Sequence, residues 1–354
     1  MTANSGFWRG KRVFVTGHTG FKGAWLCAWL DRLGARVFGL SLPPESATSL
    51  CSLIGLDQSI GSLHADIRDA ERLHEAMAGF VPDIVLHLAA QSLVRRSYRD
   101  PAGTFATNVM GTVNLLEAVR KTPSVRAVVV VTSDKCYENR EWVWPYRETE
   151  ALGGADPYSA SKAGAELVAQ AWRQSFFGAD QPAAVATARA GNVIGGGDWA
   201  EDRLIPDCIA ALTAGRPIEI RNPAATRPWQ HVLDPLAGYL TLAERLVTQG
   251  QGFARAWNFG PANEDIRPVA AIADAVTARW GEGARWIATG MAGPHEAGLL
   301  AVDASLARAR LGWAPRLRLD EALNWTVDWY RRQHAGEPAE TLVAQQIEAY
   351  EALP

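Results

Sequence analysis

Arg12-Val13-Phe14-Val15-Thr16-Gly17-His18-Thr19-Gly20-Phe21-Lys22-Gly23 is the stretch that decides the fold. Its first five residues are a short run with an apolar, β-branched centre, and Gly17 ends it. From Gly20 to Leu33 the residues have helical character, so the order is strand, glycine turn, helix. Arg36-Val37-Phe38-Gly39-Leu40 is a second short run that starts just after Gly34, a predicted helix C-cap, and it completes a βαβ unit. Two more strands are predicted, Ile84 to Leu88 and Ala127 to Thr132. Both are continuously apolar rather than alternating, which suits a parallel sheet covered on both faces. Helical patterns at Asp69 to Phe80 and Thr107 to Lys121 lie between them. The alternation predicts an α/β fold, a doubly wound Rossmann-type parallel sheet with right-handed crossovers.

After Gly191 the character changes. Gly195-Gly196-Gly197 and a Pro-rich stretch from Pro217 to Pro235 interrupt the alternation, and helical patterns return near Ala270 and Leu319. The expected division is a large domain over residues 8–190, with a returning segment at about 229–262. A smaller C-terminal domain takes 191–228 and 263–354.

A chain of 354 residues that is 48% hydrophobic can bury a substantial core. Its net charge of -3, with both signs interspersed, excludes the basic face that binding to nucleic acid requires. Cys27, Cys51, Cys136 and Cys208 are widely scattered and form no C-x-x-C pair, so the expectation is neither disulfides nor a metal centre. With no apolar leader at the start and no bilayer-length apolar run, the chain is expected to be cytoplasmic and free of the membrane. The 14 tryptophans are expected mainly in the core or at subunit contacts.

Gly17-His18-Thr19-Gly20-Phe21-Lys22-Gly23 reads G-x-x-G-x-x-G and falls where a dinucleotide fingerprint must fall. The glycines let the backbone turn sharply and approach a pyrophosphate, which sits on the free N–H groups opening the helix. Gly17, Thr19, Gly20, Phe21 and Gly23 are therefore candidate cofactor contacts. His18 and Lys22 depart from a plain fingerprint, and their side chains either alter cofactor affinity or face solvent. The second strand ends Gly39-Leu40-Ser41-Leu42, with neither the acid that would accept the ribose of NAD nor the base that would receive the phosphate of NADP, so this position leaves the choice open. Asp66-Ile67 is placed to meet an adenine amino group, although an Asp there can also cap the helix that begins near Asp69.

Tyr158 and Lys162, in Tyr-Ser-Ala-Ser-Lys after Asp156-Pro157, lie four residues apart on one face of a predicted helix start. An ammonium beside a phenol stabilises phenolate, so Tyr158 is the candidate base and Lys162 its partner. Val131-Thr132-Ser133-Asp134-Lys135-Cys136-Tyr137 brings hydroxyl, carboxylate and amine out together at the carboxyl edge of the sheet, where ligands bind in such folds. Ser133 is positioned to hydrogen-bond a substrate hydroxyl; the other reading is a helix-capping Ser-Asp with a solvated lysine.

These motifs, with His87-Leu88-Ala89-Ala90-Gln91 and Arg189-Ala190-Gly191-Asn192-Val193-Ile194-Gly195, resemble the extended short-chain dehydrogenases that act on nucleotide sugars. The resemblance runs over nearly the whole chain. Val15 to Gly23, Thr132 to Tyr137 with Trp142, and Gly195-Gly196-Gly197-Asp198-Trp199 look like the CDP-glucose 4,6-dehydratases among them.

That resemblance implies NAD as cofactor, CDP-glucose as substrate, a homodimer or homotetramer, and a place in deoxysugar biosynthesis for surface polysaccharide. It implies oxidation at C4, loss of water across C5 and C6, and return of hydride to C6, with Tyr158 taking the C4 hydroxyl proton and Lys162 holding the nicotinamide ribose. In the dTDP-glucose enzymes an Asp-Glu pair handles the elimination; here it is Asp134 followed by Lys135. Lys135 is either a neutral base with Asp134 as acid, or a charged group that stabilises an enolate. Leu88, Ala89 and Ala90 are implied at the cofactor. Gln91, Asn192, Arg203, Leu204, Arg227, Asn258 and Glu296 are implied at the substrate. Arg227 is the expected phosphate clamp through its bidentate guanidinium, its alternative being a surface salt bridge. Trp229 and His231 pack either the nucleotide or the domain interface.

Two other functions fit the fold. A nucleotide-sugar 4-epimerase would keep Tyr158 and Lys162 yet has no use for Asp134-Lys135. A non-catalytic NAD(P) sensor would commonly have lost Tyr158 or Lys162.

Overall fold

In the computed structural model the described residues are 4–178, 183–281, 283–290 and 298–354. The first half alternates as expected: β1 (Arg12–Thr16), α1 (Phe21–Arg32), β2 (Arg36–Ser41), β3 (Gly61–His64), α2 (Ala70–Phe80), β4 (Ile84–His87), α3 (Gly111–Arg120) and β5 (Ala127–Val131). Then come α4 (Pro157–Ser175), β6 (Ala184–Ala190), β7 (Asn192–Ile194), α5 (Leu204–Thr213), β8 (Ile218–Ile220), β9 (Thr226–His231) and α6 (Leu233–Gln249). The remainder is β10 (Ala256–Phe259), β11 (Ile266–Pro268), α7 (Val269–Trp280), β12 (Trp286–Ala288), α8 (Leu319–His334) and α9 (Ala339–Ala352).

Seven strands form one sheet in the order β10-β6-β5-β4-β1-β2-β3, every pair parallel. Alternate residues of each central strand feed two separate cores. Val13 and Val15 of β1 and Val129 of β5 pack on one face, while Phe14 and Val128 pack on the other. This explains the continuous apolar runs, since neither face of these strands meets water. A three-stranded sheet, β11-β9-β7, and a two-stranded one, β12-β8, lie beyond the carboxyl edge.

Two central elements carried no clear sequence signal. β6 is Ala-Val-Ala-Thr-Ala-Arg-Ala, wholly buried but poor in β-branched residues. α6 is buried along most of its length, and Gly238 lets it approach the Phe259 ring, which a Cβ there would meet at 2.4 Å. Of the tryptophans, Trp8, Trp25, Trp29, Trp257 and Trp329 are fully buried, as expected, whereas Trp144 is exposed. No described helix is long and apolar enough to cross a membrane.

Candidate active site

The strand order reverses between β1 and β4, and a cleft of about 1610 Å³ opens there over the carboxyl edge of the sheet. That volume exceeds what one small ligand needs. The turn after β1 forms one wall. Gly17 has φ +78°, and a Cβ on it would sit 2.6 Å from the Ala89 nitrogen; one on Gly23 would sit 2.0 Å from the Gly17 carbonyl oxygen. Bare backbone is therefore a packing requirement at both positions. Gly20 opens α1 without a side-chain cap, which leaves the first N–H groups of the helix to a ligand in the cleft.

Thr19 is held by Ser41, 2.7 Å between hydroxyls, and donates to the Leu42 carbonyl at 3.0 Å, so the end of β2 braces the turn. Phe21, Leu88, Ala89, Ala90, Asp66 and Ile67 line the same cleft. The Asp66 carboxylate forks onto the Arg68 guanidinium, and the cap of α2 is Asp69, which accepts from Arg72 N at 3.0 Å. Asp66 is thus not the helix cap.

His87 at the end of β4 reaches Thr16 Oγ1 at 2.6 Å and Thr112 Oγ1 at 3.2 Å. Thr16 accepts from Ala89 N and Thr112 donates to the Asn108 carbonyl. The second hydroxyl, its proton used, must therefore accept from Nε2, and in a neutral ring Nδ1 accepts from the first. Burial agrees, pushing His87 down to about 3.

At the end of β5, Ser133 and Asp134 are buried and Lys135 is half-buried, all lining the cleft. Ser133 donates to Asp134 Oδ1 at 3.0 Å, and its hydroxyl accepts from Lys135 N at 3.2 Å. Asp134 Oδ2 is buried with no partner among the described residues, close against Gly191, where a Cβ would come within 2.8 Å of it. Tyr158 and Lys162 stand on the first turns of α4, whose Pro157 start and Asp156 cap, accepting from Ser159 N at 3.0 Å, match the sequence pattern.

Lys162 is buried and points its Nζ at the Val131 carbonyl, 3.4 Å away, and burial lowers its ammonium to about 8. The expected lowering of the Tyr158 phenol is absent from the chain alone. Burial pushes it up to about 12, against a hydrogen bond from Ser133; Asp134 adds to the rise and Arg203 opposes it. Desolvation outweighs the local cation Arg203 here.

Lys22 turns into the cleft rather than to solvent. Burial, then Arg203 and Lys162, bring its ammonium down to about 7, with Asp134 and Asp198 acting the other way. Three cationic side chains thus converge beside two carboxylates, a field suited to an anionic ligand. His18 does not face solvent: its ring is buried, bonded to Ser62 Oγ at 2.9 Å, and outside the cleft.

The residues expected at the substrate divide. Asn192, Arg203, Leu204 and Arg227 line the cleft. Arg203 donates to Asp198 Oδ2 at 3.1 Å, and Arg227 is buried in β9, donating to the Thr226 carbonyl at 2.9 Å. Asn258 is a correction. It lies off the cleft, its Oδ1 accepting from Tyr137 at 2.7 Å and its Nδ2 donating to the Tyr146 and Asp303 carbonyls, so its amide is fully used as a structural junction. Gln91 is another: it lines the cleft, but its amide accepts from Leu93 N at 2.7 Å and donates to Leu93 O and Thr104, bracing its own loop. Trp229 lines the cleft, whereas His231 is buried edge-on to Trp25 and Trp325 at the interface between the layers. Glu296 lies outside the described residues.

Sequence reading missed Glu166, one turn beyond Lys162. It accepts from Thr132 at 2.5 Å, Thr187 at 2.7 Å and Arg189 at 2.7 Å. Burial pushes its carboxyl up, but the Arg189 charge and these hydrogen bonds outweigh that and hold it low. The buried pair ties β5, β6 and α4 together beneath the catalytic edge. Its only sequence signal was the four-residue step from Lys162.

The sequence profile of the family described as GDP-mannose 4,6 dehydratase matches residues 14–326. A CDP-glucose 4,6-dehydratase of Salmonella typhimurium (strain LT2) is 52% identical over 335 residues, spanning 94% of this chain and 93% of that protein. A dTDP-glucose 4,6-dehydratase of Xanthomonas campestris pv. campestris is 30% identical over 331 residues, 89% of this chain and 92% of the relative. Among solved structures, the dTDP-glucose 4,6-dehydratase of Bacillus anthracis in complex with NAD aligns with a TM-score of 0.76 at 20% identity, covering 92% of this chain and 98% of that one, a likeness of fold.

Proposed function

The chain belongs to the GDP-mannose 4,6 dehydratase family of extended short-chain dehydrogenases, and from that premise we propose that it is an NAD-dependent dehydratase converting CDP-glucose to CDP-4-keto-6-deoxyglucose. The observation that carries the reading is the Ser133-Asp134-Lys135 group at the end of β5, next to Tyr158 in one cleft. Epimerisation needs the tyrosine and lysine but no acid and base for elimination.

The cleft suits a dinucleotide: a bare glycine turn, uncapped N–H groups at α1, and convergent cations. NAD is also the ligand of the Bacillus anthracis dTDP-glucose 4,6-dehydratase structure that shares this fold. NAD held by the Gly17–Gly23 turn and Lys162 would supply the hydride chemistry, oxidation at C4 and return of the hydride to C6. Tyr158 receives the C4 hydroxyl proton, Ser133 orients that hydroxyl, and Lys162 binds the nicotinamide ribose. The 4-ketone acidifies C5–H. Asp134, with its unpartnered buried oxygen, protonates the departing C6 hydroxyl, and Lys135 removes the C5 proton. A Lys135 that stayed charged would instead hold the enolate oxygen. Lys22, Arg203 and Arg227 hold the diphosphates, and Asn192 and Leu204 the nucleotide end.

In this reading 8–190 with about 229–262 form the NAD unit, and 191–228 with 263–354 the nucleotide-sugar unit. Phe105, Met110 and Leu167, exposed on the helices flanking α3 and on α4, provide the self-association surface of a homodimer or homotetramer. Four free, buried cysteines are in keeping with a cytoplasmic setting.

The test is incubation of the protein and NAD with CDP-glucose, dTDP-glucose, GDP-mannose and UDP-glucose in turn, following loss of the mass of water. Product from CDP-glucose alone is expected. Product from another nucleotide sugar would overturn the CDP assignment, and no loss of water with any would overturn dehydration.

A further inference from the structure

Outside the cleft, three side chains from three separate elements converge behind the glycine turn: His18 of the turn, Asp57 of the short helix Leu56–Ser59, and His64 at the end of β3. None of the three lines the cleft. His18 Nε2 lies 3.3 Å from Asp57 Oδ1, His64 Nε2 lies 3.2 Å from Asp57 Oδ2, and one donor atom from each falls within 4.8 Å of the others. Donors bound tetrahedrally at zinc distances stand about 3.3 Å apart, so both nitrogen-to-oxygen spacings are those of a coordination edge. The imidazoles are nearly parallel, 13° between planes and 6.3 Å between centroids, and present Nε2 to the same carboxylate.

The backbone is shaped for this. The His18 ring rests on Gly39, where a Cβ would meet it at 2.3 Å, so the ring has its position only because β2 has no side chain there. Ser62 Oγ donates to Asp57 Oδ1 at 2.6 Å and lies 2.9 Å from His18 Nε2, so it holds the two donors together and gives up the latter bond when an ion binds. His64 and Asp57 are partly exposed, with side chains 39% and 26% accessible, which provides an entry path and a fourth position for water.

We propose that His18, Asp57 and His64 form a site for one divalent transition-metal ion of the zinc class. Two imidazoles and a carboxylate select Zn²⁺ and Co²⁺ over Mg²⁺ and Ca²⁺, which prefer all-oxygen sets. The ion ties the second residue of the phosphate-binding turn to β3 and to the preceding short helix, and so links metal occupancy to the rigidity of that turn.

The test uses the full chain without an affinity tag, dialysed against a chelator and titrated with Zn²⁺ by calorimetry and with Co²⁺ by visible absorption. One ion per chain and the d–d bands of a four-coordinate site are expected. His64→Ala and Asp57→Asn are each expected to weaken binding on the order of 100-fold or more. His64 lies on the edge strand and its variant decides the matter even where Asp57→Asn fails to fold. Failure of the intact chain to bind stoichiometrically, or unchanged binding in His64→Ala, would overturn the site.

Discussion

The turn after β1 and the end of β5 line the same cleft by opposite means. Around Gly17 and Gly23 the protein offers backbone: the would-be Cβ positions are already occupied by Ala89 and by Gly17 itself, and recognition rests on N–H groups at a helix start. At Ser133, Asp134, Tyr158 and Lys162 it offers buried side chains, and burial shifts two of them, Tyr158 up to about 12 and Lys162 down to about 8. The first region binds through shape and fixed dipoles and needs no proton moved. The second costs stability to hold titratable groups out of water, and its reward comes only with the reaction. Damage to the first should therefore appear in cofactor affinity, and damage to the second in turnover.

The largest expected effect is at the second region. Tyr158→Phe should lower kcat about 1000-fold, the scale of a lost general base, while NAD affinity by equilibrium dialysis stays nearly unchanged. Loss of affinity in parallel would blur the division between the regions. Gly23→Ala is the converse: the added Cβ displaces the turn, and NAD should bind about 100-fold more weakly, the equivalent of about 3 kcal/mol. Substrate turnover at saturating NAD should recover much of its wild-type value.

Asn258→Ala separates a brace from a site. Three hydrogen-bonding groups lose their partner, so urea midpoints should report a loss of about 2–4 kcal/mol, with KM for the nucleotide sugar little altered. A raised KM at unchanged stability would return Asn258 to the substrate.

The smallest effect is in the pH dependence of stability. His231, buried among tryptophans, is pushed down to about 3 by burial. Between that value and the ordinary 6.5 of the unfolded chain, the unfolded state binds the extra proton, so stability falls as pH falls below 6.5, by about 1.4 kcal/mol per unit. His87 acts in the same sense, whereas Asp234, raised to about 7 by burial, acts in the opposite sense over part of that window. The readout is thus the difference between wild type and His231→Gln, whose loss of stability between pH 6.5 and 5.5 should be smaller by about 1 kcal/mol.

The residues that could be read from sequence alone were those whose role is local. A strand, a glycine turn and a helix N-terminus lie within twelve residues, and Tyr158 and Lys162 share one helix turn, so short-range geometry decides both. The strand pattern likewise determined the doubly wound sheet, because continuous apolar runs have few other uses.

Tertiary structure alone decided matters that depend on what arrives from elsewhere in the chain. Asn258 and Gln91 looked like ligand contacts until their amides were found consumed by Tyr137, Tyr146, Asp303, Leu93 and Thr104. Lys22 and His18, four residues apart, turn to opposite sides of the same loop, one into the cleft and one onto Gly39. Desolvation is likewise set by the whole fold, so a motif announces a catalytic tyrosine but not its pKa. The His18–Asp57–His64 cluster joins residues up to 46 positions apart, and no spacing rule within the sequence brings them together.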